Sequence, residues 1–256
     1  MHVLACFAPF YISGPGILAM IILHYLTFHL GLILCYHRMV SHQMFVAKGP
    51  LKHLLLLCAS LSLEGGPINW ARTHRIHHRF ADTQLDPHSS LRGLFWSHIG
   101  WLLFYDSREE EKYSVTRELD RDPSLKFYER NFVLINILFL CVVAAIVKLT
   151  LNVDPFAFLI WAFPLRIVTV WHSSWLVNSL GHAIGERPHE VKNRSANNVL
   201  LKTFTLGEGL HNNHHAEPWN PNFGESTREF DLSYRFLVAW EALRLVEVKR
   251  RRDMPV

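Results

Sequence analysis

A chain of 256 residues, half of them apolar and with a mean hydropathy of +0.10, is too hydrophobic for an ordinary soluble domain. A net charge of +4 is too modest to suggest a nucleic-acid partner. Four cysteines without paired spacing, all in apolar segments, exclude a disulfide-built fold and read as small core residues.

The first apolar run, from Val3 to Tyr36, has no Lys, Arg, Asp or Glu before Arg38. Met1 to Tyr11 is too short to cross a bilayer and lacks the basic start of a signal peptide. It reads as a partial first span, about residues 1–12, of a chain whose N-terminus is shortened. Ser13–Gly16, with Pro15, breaks the run, and a second span follows over 16–36. Leu51 to Leu63 is apolar but too short to cross, and is expected as an interfacial or buried helix. The charged stretch from Asp106 to Arg130 has a helical pattern broken at Asp122-Pro123. Phe132–Leu151 contains one charge, Lys148, and Phe156–Val177 one, Arg166. Both approach the ~20 residues that cross a hydrocarbon core, giving spans at 132–151 and 156–177 joined by the turn Thr150–Pro155. The tail from Leu232 to Val248 is expected as an amphipathic helix with a basic end at Lys249–Arg252, suited to an anionic membrane surface.

All but two of the 26 Lys and Arg lie in two blocks, Arg38–Arg130 and Arg187–Arg252. The positive-inside tendency puts both on the cytoplasmic side. The expected architecture is therefore all-α and integral to the membrane, as one domain over 1–256. It has about four transmembrane helices, the first one shortened, under a cytoplasmic helical cap formed by 37–131 and 178–256.

Seventeen histidines are present, and three groups stand out. His37 and His42 form HxxxxH; His74, His77 and His78 form HxxHH; His211, His214 and His215 repeat it. Imidazole is a neutral nitrogen donor that suits iron, zinc, copper or nickel. On a helix, positions i, i+3 and i+4 share a face, so each HxxHH presents three nitrogens to one centre. Eight donors are too many for one ion and suit two. All three groups lie at the cytoplasmic ends of the spans or in the cap. A zinc transporter would instead need ligands at bilayer depth.

With these boxes, the chain resembles the membrane fatty acid desaturases, and among them the Δ9 acyl-CoA branch. The likeness also rests on Gly66-Pro-Ile-Asn69-Trp70-Ala-Arg72-Thr-His74, Asp86-Pro87-His88, Arg92-Gly93 through Ser97-His98-Ile-Gly-Trp101, Asn178-Ser-Leu-Gly-His182, Gly207-Glu208-Gly209 and Glu229-Phe230-Asp231. The resemblance implies nine metal-binding histidines, the eight above plus His182, with Asn178 reaching one metal through water. It implies a di-iron centre, dioxygen as co-substrate, and a cis double bond placed in a long saturated acyl chain, at Δ9. Two electrons would come from a ferredoxin or cytochrome b5 type donor docking on the cytoplasmic face. The acyl group would be carried on coenzyme A, acyl carrier protein or membrane lipid.

An apolar, kinked tunnel in the cap is expected for the chain, with Asn69, Trp70, Arg72 and Trp175 as contacts. Phe95, Trp96, Trp101 and Trp171 are further lining candidates. Arg72, Lys52 and Arg92 could meet a phosphate-rich head group. Asp86, His88 and His98 are candidates to support a ligand from behind, whereas His24 and His29 read as helix-packing residues. Asn193-Arg-Ser195 matches a glycosylation sequon on the wrong side of the membrane for use. The nearest other reading is a related lipid hydroxylase, alkane hydroxylase or carotenoid ketolase, whose box spacing and flanks usually differ.

Overall fold

The structure, a computed structural model, describes residues 1–106, 110, 113, 115–226 and 229–249. The basic end Arg250–Arg252 and much of 107–114 lie outside the described residues. Three helices are long and apolar enough to cross a membrane: α2 (Gly14–Ser41), α6 (Pro123–Thr150) and α7 (Pro155–Leu180). At 1.5 Å per residue they rise about 42, 42 and 39 Å, against about 30 Å of hydrocarbon. Their cap-side turns therefore outrun the apolar layer and carry polar residues into the cap. This is why each is longer than its hydropathy run.

Each of these helices starts on a built cap. Ser13 Oγ accepts from Gly16 N at 3.2 Å, Asp122 Oδ1 from Ser124 N at 2.9 Å, and Asp154 Oδ1 from Phe156 N at 3.0 Å, with a proline in the first turn each time. Along α6 the side chains of Val133, Leu134, Ile137, Leu138, Val142 and Ile146 are exposed, a lipid-facing stripe.

The first twelve residues form no span. α1 (His2–Ala5) and a single turn at Ala8–Phe10 are all the helix they hold, because Pro9 and the Ser13-Gly14-Pro15 break leave no uninterrupted run. So about four expected spans become three among the described residues. The segment lies along α7, with Trp161 Nε1 donating to Tyr11 O at 2.8 Å.

The cap-side half of α2 is unusual. From Leu26 to Ser41 its turns widen to i→i+5 hydrogen bonding, a winding found mostly at functional sites. It is almost wholly buried, under α3 (Gly49–Ser60) and α4 (Pro67–Phe80). α3 crosses it backbone to backbone at Gly31, where a Cβ would stand 2.7 Å from Ala59 N. α3 then stops without reaching water. Its end carbonyls are met by side chains of the spans: Asn136 Nδ2 donates to Ser60 O at 2.7 Å, Arg166 Nη1 to Leu61 O at 2.5 Å and Trp171 Nε1 to Ser62 O at 2.8 Å. Orphan carbonyls in an apolar layer need such partners.

Beyond α4, a short helix α5 (Trp101–Phe104) follows a wide turn at Trp96–Gly100. After α7 come α8 (Val199–Thr205), α9 (His211–Ala216) and α10 (Leu232–Ala242). The tail is not one helix to Val248. Arg244, at φ 58, turns the chain, and β2 (Val246–Val248) pairs antiparallel with β1 (Phe45–Ala47) in the register Phe45↔Val248. That pairing ties the tail to the segment just after His42.

Candidate metal centre

Nine histidines converge in two nests. His37, His42, His74, His78 and His214 form one, and His77, His182, His211 and His215 the other, with the ligand atoms of each nest within 4.8 Å of one another. All nine histidines singled out from the sequence are among them. HxxHH does not bring its three nitrogens to one centre as expected: α4 sends His74 and His78 to the first nest and His77 to the second, while α9 sends His214 to the first and His211 and His215 to the second. The two nests are thus stitched together by two helices. His37 and His42 meet for a reason of their own. On an ordinary helix, residues five apart are about 140° apart around the axis. The widened turns of α2 bring the His37 and His42 rings to 4.9 Å, with His42 N bonded to His37 O at 3.1 Å.

Three nest residues are held from behind by carboxylates. Nδ1–H of His37 donates to Glu208 Oε2 at 2.8 Å, that of His77 to Asp86 at 3.0 Å, and that of His182 to Asp82 Oδ2 at 2.8 Å. Asn193 approaches His215 Nδ1 at 3.3 Å. A proton fixed on Nδ1 leaves Nε2 as a bare lone pair aimed into the nest. Yet Nε2 atoms are packed at 3.0 Å between His37 and His214 and between His182 and His211, at 2.8 Å between His42 and His74, and at 3.4 Å between His77 and His215. Lone pairs so placed repel unless a cation lies among them. Two nitrogens about 2.1 Å from one ion sit about 3.0 Å apart at right angles and about 3.4 Å apart at the tetrahedral angle. The nests fit two metal ions.

The protonation states agree. Burial, then neighbouring imidazoles, hold His42, His74, His78, His211, His214 and His215 well below the ordinary histidine value, so their rings are neutral donors. Burial alone would raise Glu208, but His37 and Arg38 outweigh it and bring it down to about 2. Asp86 is likewise held at about 2, with His77 and His88 overcoming its burial. Asp82 is lowered too, against its burial, by the His182 hydrogen bond.

Behind Glu208 stands a fully buried Arg38. It donates to Glu208 Oε1 at 2.7 Å, to Asp231 Oδ2 at 2.9 Å and to Pro221 O at 2.8 Å, and lies over the Phe223 ring at 4.0 Å. Asp231 in turn caps α10 through Tyr234 N at 3.0 Å. Arg75, between the box histidines of α4, donates to Ser41 O at 2.8 Å and Val40 O at 3.1 Å, joining α4 to the end of α2. The two asparagines inside the third box point away from the nests: Asn212 Nδ2 donates to Ser195 O at 3.2 Å and Asn213 Nδ2 to Phe223 O at 2.9 Å. They lock α9 at the angle its histidines need.

Against the nests lies a cavity of about 520 Å³, mostly apolar, within the usual size range for a bound small molecule. His37, His74 and His211 form its metal end, with Asn178 beside them, and Phe28, Leu32, Ile33 and Leu63 line the apolar body. Of the residues named from the sequence as contacts or lining, Asn69, Trp70, Trp101, Trp171 and Trp175 face this cavity, and Arg72, Phe95 and Trp96 do not. Lys52 is occupied by Asp122 at 2.5 Å, and Arg92 lies over the Trp96 ring at 3.0 Å.

Sequence reading missed Glu64, a cavity-lining acid whose Oε2 accepts from Trp70 Nε1 at 3.0 Å and Ser174 Oγ at 3.2 Å, and whose Oε1 is without a hydrogen-bond partner. Burial raises its pKa to about 7. It also missed Asp82, which no motif marks, and gave Glu208 no role although its Gly-Glu-Gly setting was visible. Asp86 is a support for His77, as considered. The His88 ring lies tilted against that of His77, centroids 4.2 Å apart, and approaches Asp86 at 3.8 Å. His98 instead bonds His172 at 2.9 Å and Ser179 at 3.1 Å. His24 packs between helices, bonding Thr169 of α7 at 3.1 Å, whereas the buried His29 meets the Tyr25 and Phe28 rings of its own helix.

A helical chain with three membrane-length helices and a cap that gathers nine imidazoles beside an apolar cavity defines a class: membrane proteins built to hold two metal ions against an apolar ligand. The family model described as fatty acid desaturase matches residues 14–251, and the chain belongs to that family. It is 36% identical to the sn-1 stearoyl-lipid 9-desaturase of Anabaena variabilis, over 97% of this chain and 87% of that protein. It is 31% identical to the icosanoyl-CoA 5-desaturase of Limnanthes douglasii, over 96% and 68%, and 30% identical to the stearoyl-CoA desaturase of Capra hircus, over 90% and 66%.

Proposed function

We propose that this chain is a di-iron fatty acyl desaturase that places a cis double bond at Δ9 of a long saturated acyl chain. The observation that carries the reading is the pair of imidazole nests opening onto one apolar cavity. One iron would be held by His37, His42, His74, His78 and His214. The other would be held by His77, His182, His211 and His215, with Asn178 reaching it through water. Iron supplies the oxidant that an unactivated methylene requires and no side chain can provide. The balance is one dioxygen, two electrons, two protons and the two hydrogens of the methylenes, giving the alkene and two waters. The electrons come from an external donor of ferredoxin or cytochrome b5 type.

The protein's own work is positioning and exclusion. Glu208, Asp86 and Asp82 hold the Nδ1 protons of three ligands, which fixes ring orientation and raises donor strength. Trp70 stacks on His74 with ring centroids 5.1 Å apart and lines the cavity beside it. An acyl chain lying along Phe28, Leu32, Ile33 and Leu63 would be held in one register, which sets one bond beside the metal end.

Expression in a host without its own desaturase, with fatty acid profiling, tests the reading. New monounsaturated chains are expected, lost in His77→Ala and His214→Ala. Hydroxylated chains, or an unchanged profile with iron and a working donor supplied, would overturn it.

A further inference from the structure

The cavity against the nests takes the acyl chain, so the electrons of the reaction need another way in. A second recess, of about 330 Å³, is walled by the segment after the third histidine box, by α10 and by the end of β2. Trp219, Pro221, Val238 and Lys249 are among its lining, and none of its described lining residues belongs to the nests.

Its wall is nonetheless wired to the first nest. Pro221 O accepts from Arg38 Nη1 at 2.8 Å, Arg38 Nη2 donates to Glu208 Oε1 at 2.7 Å, and His37 Nδ1–H donates to Glu208 Oε2 at 2.8 Å. Lys249 joins the same arginine: its N donates to Met44 O at 2.8 Å, and Met44 N donates to Arg38 O at 2.9 Å. Two residues after Pro221, the buried Phe223 ring lies 4.0 Å from the Arg38 guanidinium and 4.4 Å from the His214 ring. Bonds, hydrogen bonds and touching rings pass an electron far better than gaps do. From Pro221 to His37 and His214 no gap has to be crossed.

Charge indicates the partner. From Leu232 to Arg252 the chain carries Arg235, Arg244, Lys249 and Arg250–Arg252 against Glu241 and Glu247. Arg235 and Arg244 are exposed. The two acids of the lining are engaged within the cap, Glu217 accepting from Asn220 Nδ2 at 3.0 Å and Glu241 from Val248 N at 3.3 Å. A basic surround steers an acidic partner to its seat. A recess lined by charged and amide groups suits a protein, not lipid tails.

Resting on the desaturase reading above, we propose that a small acidic one-electron carrier protein docks on this recess, and that its electrons reach the first nest through Pro221, Phe223 and Arg38. Each docked carrier gives up one electron and leaves oxidised. Two such visits supply the pair in the dioxygen balance above.

The test uses the iron-loaded full chain in phosphatidylcholine vesicles. The acidic carriers are a plant-type [2Fe–2S] ferredoxin and the soluble haem domain of cytochrome b5, with basic cytochrome c for comparison. Binding of each oxidised carrier, read by surface plasmon resonance, needs no turnover. An acidic carrier should bind, more weakly as salt rises, and cytochrome c should not. Lys249→Glu and Val238→Glu, neither position buried, should each slow association about tenfold. Lys192→Glu, on the loop whose Asn193 reaches His215, should leave it unchanged. Binding by cytochrome c alone, by no carrier, or with equal weakening in Lys192→Glu would overturn the proposal. So would a bimane on Val238→Cys, in a variant freed of its natural cysteines, that doxyl-labelled lipid quenches and the carrier does not shield, because this face would then lie on the bilayer. Phe223→Leu should keep carrier binding but slow carrier oxidation several-fold in stopped flow, and an unchanged rate would overturn the route. Dithionite separates the two readings. If the dithionite-reduced protein makes no alkene from stearoyl-CoA or distearoylphosphatidylcholine, the function proposed above fails, and the binding measurements still decide the surface.

Discussion

At the scale of single residues, the site depends as much on groups that cannot touch a metal as on those that can. Asp82 and Glu208 each fix one imidazole proton, and their loss frees a ring to rotate. Asp82→Ala and Glu208→Gln should each lower metal affinity about 10- to 100-fold, measured as the metal retained against a graded chelator. Glu64 gives a pH prediction. Its pKa is raised to about 7, so it is neutral below that pH and ionised above it. An ionised carboxylate facing an apolar cavity disfavours an acyl chain. The KM for the acyl substrate should therefore be low below pH 7 and rise as pH passes through it. Glu64→Gln should flatten that rise, and a rise that persists in the variant would show that another group titrates. The histidines were legible because HxxHH repeats a helical face. Asp82 was not, because one carboxylate brought in from a turn between elements leaves no periodic trace.

At the scale of elements, spacing alone mispredicts how His37 and His42 meet. Five residues apart suits neither face of an ordinary helix, and the local winding of α2 absorbs the mismatch. That winding depends on burial against α3 and α4 rather than on any propensity in Leu26–Ser41, so it could not be read from the segment itself. The same dependence makes Gly31 critical. A Cβ there meets the backbone of Cys58 and Ala59 at 2.7 Å, and backbone cannot swing aside as a side-chain tip can. Gly31→Ala should destabilise the fold by about 1–3 kcal/mol, read as a lower melting temperature in detergent, whereas Gly14→Ala, with nothing within 4 Å, should leave it unchanged. The tail shows the opposite limit. Apolar residues at helical spacing ran to Val248, but a left-handed Arg244 and the pairing of β1 with β2 take the last residues away from helix.

At the scale of the whole molecule, the membrane class, the long apolar helices and the gathering of eight box histidines were legible because each follows from composition or periodicity, whereas His182 was marked only by the family resemblance. The number of spans was not. An apolar stretch of a dozen residues looks like part of a span in sequence, but with Pro9 and the break at Ser13-Gly14-Pro15 the structure holds there only two short helical turns, His2–Ala5 and Ala8–Phe10. The grouping of cationic residues predicts that the turn around Asn152 lies across the membrane from the cap. With Asn152→Cys and Lys192→Cys in a variant freed of its natural cysteines, a membrane-impermeant maleimide should label the two from opposite sides. Labelling of both from the same side would overturn that placement.

The three donors that finish α3 come from far downstream. Ser60, Leu61 and Ser62 give up water only to Asn136, Arg166 and Trp171, which the ribosome makes roughly 75 to 110 residues later. At 5–20 residues per second that is a wait of about 4–20 s. During it the end of α3 cannot settle at depth, so α4 and its three histidines stay outside the final site. The metal centre is therefore a late product of synthesis, and a chain halted before residue 136 should leave α3 open to water-borne thiol reagents at Cys58, where the finished protein shields it.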